Sequence, residues 1–141
     1  MPQKRNTVLI VDGDLGSVFW LGQVLDAAGY ESLPAKNLSD ARSLLAELQI
    51  RVDLLIVRGS IPGAAAFAES LRRLQGCLKT IGLVADNEEM PEPESRMDAW
   101  LHKPFVSDEA AKFDYLELIR WVLAQKPSPS PMFPTTAFSF C

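Results

Sequence analysis

Arg58 is the residue on which a chemical reading of this sequence turns. It follows Leu54-Leu-Ile-Val57, an apolar run short enough for a buried strand, and precedes Gly59-Ser60 and the turn former Ile61-Pro62-Gly63. In an open parallel sheet, ligands and chemistry sit at the carboxyl ends of the strands. The side chain offered there is always charged, is not a nucleophile and cannot ligate a cation. A second stretch with chemical content, Asp12-Gly13-Asp14, follows the run Thr7-Val-Leu-Ile-Val11. An aspartate directly after a buried strand needs a partner. Asp14 serves equally as the N-cap of the next helix or as a site residue.

No other constellation competes with these. The chain has no Gly-rich phosphate loop, no GxGxxG, no paired catalytic histidine and no spacing suited to metal ligands. His102 is the one histidine and reads as a plain strand residue; Cys77, beside Gly76 in a loop, reads as an inert thiol. These features favour a chain that is not an enzyme, with no cofactor, no metal and no small-molecule substrate. A small α/β nucleotide-binding protein or enzyme is the alternative from another class.

The elements that must position these residues follow a regular rhythm. Strand-like runs at Thr7–Val11, Tyr30–Leu33, Leu54–Val57, Leu78–Val84 and Ala99–His102 alternate with helical spacing. Val18, Leu21, Val24, Leu25 and Ala28 mark the first helix, which Gly29 closes. Asn37 caps a second helix carrying Ala41, Leu44, Leu45 and Leu48; Phe67, Leu71 and Leu74 mark a third. Pro34 is expected to stop the second strand. Between Ala85 and Met97, five acidic residues lie among Pro91 and Pro93, so the fourth helix should be short or irregular. Ser107 caps a last helix to about Gln125, in which Phe113, Leu116, Ile119 and Leu123 can form the buried stripe. The pattern predicts a (βα)5, doubly wound parallel sheet.

The bulk properties set limits. With 141 residues, one domain plus an appendage is expected: a lead at 1–6, a domain at 7–125 and a Pro/Ser-rich tail or linker at 126–141. The net charge of −4 leaves no broad footprint for nucleic acid. No apolar run is long enough to cross a bilayer. Two cysteines without framework spacing suit a reducing compartment, so a cytoplasmic location is expected.

Taken in order, Val8-Leu-Ile-Val-Asp12, Asp53 to Gly63, Thr80-Ile-Gly-Leu-Val-Ala85 and Asp98-Ala-Trp-Leu-His-Lys-Pro-Phe105 resemble the response-regulator receiver domain of bacterial two-component signalling. The similarity spans about Thr7 to Gln125 and implies a flavodoxin-like sheet of order 2-1-3-4-5. Receiver chemistry uses an aspartate at the end of the third strand to take a phosphoryl group. Two carboxylates after the first strand help hold Mg²⁺; a hydroxyl ends the fourth strand, and a lysine follows the fifth. Against that pattern this chain has Arg58 at the acceptor position, Asp12 and Gly13 at the acidic pair with Asp14 next, Val84 at the hydroxyl position, and Lys103 retained.

The resemblance therefore implies a pseudo-receiver with a vestigial pocket, signalling by protein–protein interaction without aspartyl phosphorylation. A regulatory receiver-like module of a larger phosphorelay is the alternative within the class. Arg58 and Lys103 can neutralise Asp12 and Asp14 without a metal ion, and Arg58 is expected to bridge one of them. Aromatic excess on the last strand and helix suggests a protein-partner or homodimer interface of Trp100, Tyr115, Leu118, Trp121 and Val122. On the first helix, Phe19 and Trp20 cannot both be buried.

Overall fold

A computed structural model of the chain describes residues 6–85, 97–102 and 109–125. The expectations for the acidic stretch, for Lys103 and its turn, for the Ser107 cap and for the tail lie outside the described residues. The element order is β1 (Thr7–Val11), α1 (Leu15–Ala27), β2 (Glu31–Ala35), α2 (Leu38–Leu48), β3 (Leu54–Arg58), α3 (Ala64–Leu74), β4 (Lys79–Val84), β5 (Ala99–His102) and α4 (Glu109–Ala124). All strand pairs are parallel, in the order β2-β1-β3-β4-β5. The doubly wound arrangement expected from the alternating runs is therefore present.

The central strands are mostly apolar because both of their faces are covered. Leu9, Val11, Leu55 and Val57 join Phe67, Ala68 and Leu71 in one core, under α2 and α3. Val8, Ile10, Leu54, Ile56, Ile81 and Leu83 join Leu21, Leu25 and Ile119 in the other, under α1 and α4. Each fully buried Leu or Ile of this kind contributes about 1.5–3 kcal/mol over leaving it in water. Asn37 caps α2 as expected, its Oδ1 accepting from Asp40 N at 2.7 Å. Gly29, at φ 93°, closes α1 in the left-handed region that a side chain would disfavour.

Pro34 does not stop β2 but sits inside it. Glu31 N donates to Asn6 O, and Ala35 O accepts from Asp12 N, so residues 31 and 35 face β1. With a period of two, Ser32 and Pro34 turn to the open edge of the sheet, where a missing N–H costs no ladder bond. The proline also blunts that edge against pairing with another strand.

The last helix keeps Leu116, Ile119 and Leu123 of the expected stripe against the sheet but turns Phe113 outward and Tyr115 and Val122 inward. Tyr115, Ile119 and Val122 are buried, while Phe113 is 63 % exposed. The spacing 115, 119, 122 is as helical as 113, 116, 119, 123, so periodicity could not choose between them. Tertiary contacts do: Tyr115 OH donates to His102 O at 3.1 Å, and its ring meets Trp20 edge-on at 5.4 Å. Trp20 is half-buried while Phe19 is exposed, consistent with only one of the pair being covered. At the far end of β4, Asp98 Oδ2 accepts from Thr80 N at 2.7 Å, and Arg72 Nη2 donates to Thr80 Oγ1 at 2.7 Å. These bonds fix the start of β5 against β4 and α3.

The observed stripe makes a direct prediction. Ile119→Ala should lower the unfolding free energy by about 2–5 kcal/mol, and Phe113→Ala should change it by about 0.5 kcal/mol or less, both measured by urea denaturation. Equal losses would mean that Phe113 is buried along with Ile119.

Candidate functional site

The pocket is built where β1 and β3 end. Asp12 follows Val11 directly and has no solvent exposure. Its backbone N–H is used by Ala35 O at 3.1 Å, which ties the position to β2. Its Oδ1 accepts from Asp14 N at 3.0 Å and from Arg58 Nη1 at 3.3 Å. The latter contact is an ion pair, with the Arg58 side chain 25 % exposed and that of Asp12 fully covered. Arg58 is the last residue of β3 and pairs with Leu83 of β4. Beyond it the chain turns sharply: Ile61 N donates to Arg58 O at 3.2 Å, and Gly63 adopts φ 84° at the start of α3. The guanidinium thus leaves a rigid strand end and reaches across to the neighbouring strand.

The other predicted residues divide. Asp14 is the N-cap of α1: its Oδ1 accepts from Ser17 N at 3.3 Å and its Oδ2 from Ser17 Oγ at 2.8 Å. Of its two readings, the structure shows the cap; the Arg58 ion pair is with Asp12. Gly13 is exposed, and an added Cβ would meet nothing closer than Lys36 O at 3.7 Å. Neither crowding nor positive φ requires glycine there. Val84 ends β4, is buried, and offers neither a donor nor an acceptor from its side chain. Lys103 lies outside the described residues. Among the described residues, no three His, Cys, Asp or Glu side chains converge as a metal site would need.

The proposed interface residues also divide. Tyr115 and Val122 are buried in the domain's own core, which corrects their assignment to a contact surface: the helix is rotated so that they face the sheet. Leu118 and Trp100 are half-buried. Trp121 is 56 % exposed and shares the helix with exposed Phe113. Phe113 had been placed inside, so this exposed aromatic was missed. A separate apolar groove of about 340 Å³, lined by Val18, Phe19, Gly22 and Pro34 among others, runs between α1 and β2 and shares no residue with the strand-end pocket.

A parallel sheet of this order, with an acidic residue after β1 and a charged residue at the end of β3, has the CheY-like flavodoxin fold of receiver domains. No family model matches the sequence, and no curated protein matches it at a significant level. Solved structures do. A candidate response regulator from Chloroflexus aurantiacus is 25 % identical, with a TM-score of 0.68, over 86 % of this chain and 100 % of that one. A CheY-like receiver domain protein from Methanospirillum hungatei is 21 % identical at TM-score 0.68, over 85 % and 94 % of the two chains. The chemotaxis protein CheY4 of Vibrio cholerae is 25 % identical at TM-score 0.65, over 84 % and 99 %.

Removing Arg58 leaves a buried carboxylate with its strongest described counter-charge gone. Because the guanidinium is partly hydrated, the cost should fall below that of a fully buried pair. Arg58→Met should therefore lower the unfolding free energy by about 1–3 kcal/mol, read from urea midpoints at neutral pH. A neutral or stabilising result would make the pair incidental.

Proposed function

We propose that this chain is a receiver-type signalling domain that works without accepting a phosphoryl group, passing information by docking to a protein partner or to a second copy of itself. The observation that carries this reading is the ion pair between Arg58 and buried Asp12. An aspartyl phosphate needs a carboxylate oxygen at the strand end as nucleophile, and a guanidinium has no such atom. Phosphoryl transfer on this scaffold also needs a divalent cation to offset charge on the transferred group. The arginine already supplies a positive charge at Asp12, and Gly13 contributes no ligand beside it.

The same geometry places a permanent positive charge beside Asp12. Arginine does not lose its proton, so the pair does not switch by titration of the cation. A covalent or metal-driven change of charge, the usual trigger in the proteins this fold resembles, then has no starting point here. The route left for signalling is the surface. Exposed Trp121 and Phe113 on α4, with half-buried Leu118, supply aromatic area of the kind enriched where partners dock. We assign the partner or self-association surface to this face, without Tyr115 and Val122.

Incubation with acetyl phosphate and Mg²⁺, followed by intact mass measurement, tests the reading. The expected result is an unchanged mass under conditions that label a receiver with an acceptor aspartate run in parallel. Gain of a phosphoryl group in acid- and base-labile linkage would overturn it.

A further inference from the structure

β4 and β5 place Gly82 beside Trp100 in register. Ile81, Leu83, Ala99 and Leu101 point into the core under α1 and α4. Gly82 and Trp100, one position out of phase with these, share the opposite face of the sheet. There the indole lies directly on the glycine. A Cβ at position 82 would stand 2.2 Å from Trp100 Cζ3, 2.4 Å from Cε3 and 2.7 Å from Cη2. Ordinary carbon contacts are about 3.5–4.0 Å, so no side chain at position 82 can coexist with the ring in this place.

The glycine is not explained by backbone conformation. The positive-φ glycines are Gly29 and Gly63, and Gly82 is not among them. A glycine inside a buried strand costs chain entropy and packs nothing itself. The cost is offset when an aromatic ring covers the exposed backbone from the next strand. The ring in turn loses the freedom to leave, because its contact surface is the flat strand beneath it. Trp100 keeps partial exposure, so the edge strand still offers part of this ring to its surroundings.

We propose that Gly82 is a socket that seats the indole of Trp100 and holds it in one rotamer, so that β5 presents one fixed surface whatever happens at the strand-end pocket. The device lies in the β4–β5 pair and uses neither Arg58 nor Asp12. It deepens the reading of a domain that signals by docking, because a surface that does not toggle is one a partner can meet at any time. The socket itself does not depend on that reading.

A thermodynamic cycle tests the socket: wild type, Gly82→Ala, Trp100→Ala and the double variant, each unfolded in urea. With Trp100 present, Gly82→Ala should lower the folded-to-unfolded ratio by about ten-fold or more, since overpacking is costly. With Trp100→Ala in place, the same change should cost less than about three-fold or stabilise, as alanine ordinarily does in place of glycine. If Gly82→Ala alone does not fold, recovery of folding in the double variant carries the same meaning. Equal losses in both backgrounds, or no recovery, would overturn the socket.

A second readout tests the single rotamer. In protein labelled with 5-fluorotryptophan, the Trp100 ¹⁹F line, assigned by its loss in Trp100→Phe, should be single and should not shift with Mg²⁺ and acetyl phosphate. Two lines, or a line that moves, would contradict it. Phosphoryl uptake by mass with an unmoved Trp100 line would sink the proposed function and leave the socket standing.

Discussion

A carboxylate with no solvent contact cannot stand alone at the end of a strand. Asp12 is such a group, and its Oδ1 is held by Asp14 N from its own turn and by the Arg58 guanidinium from β3. Much of the local architecture serves that pairing. β1 and β3 are adjacent and in register, Val11 beside Val57, so the residues that follow them project together. Asp14 is occupied as the cap of α1, and the turn after Arg58 is closed by its own carbonyl. Charge is balanced across two strands by two side chains, one of which cannot be neutralised near physiological pH. In the solved structures this chain resembles, the fold is the same.

The consequences reach outward. If the pocket has one state, the surface cannot be controlled from it. Trp100 of the edge strand is packed against backbone at Gly82, on the face opposite the core under α1 and α4. The exposed aromatics of α4 lie elsewhere, on the helix that covers the other side.

Much of this was legible in the sequence, for identifiable reasons. β1, β3 and β4 were readable because strands buried on both faces are largely apolar runs, and Asn37 and Gly29 mark helix ends through local bonds and backbone freedom. That Arg58 meets a carboxylate after β1 was readable because strand order fixes which strand ends are neighbours; that it is Asp12 rather than Asp14 was not. What was not legible depended on tertiary choice. Pro34 reads as a stop until β2 is known to be an edge strand with that residue turned outward. Tyr115 and Val122 read as surface because two helical stripes fit α4 equally well, and only the Trp20 ring and the His102 carbonyl decide between them. The Gly82–Trp100 contact joins residues 18 positions apart whose types carry no motif. The bond between Arg72 and Thr80 is silent in the same way.

The central claim is that a guanidinium occupies the role of a cation beside Asp12. Titration of the protein with Mg²⁺, followed by amide ¹H–¹⁵N shifts of Asp12, Gly13, Arg58 and Gly59, tests it most directly. The account predicts no saturable change up to concentrations on the order of 10⁻³–10⁻² M, past the weak end of oxygen-ligand sites. Saturable, site-localised shifts in the low-millimolar range would contradict it.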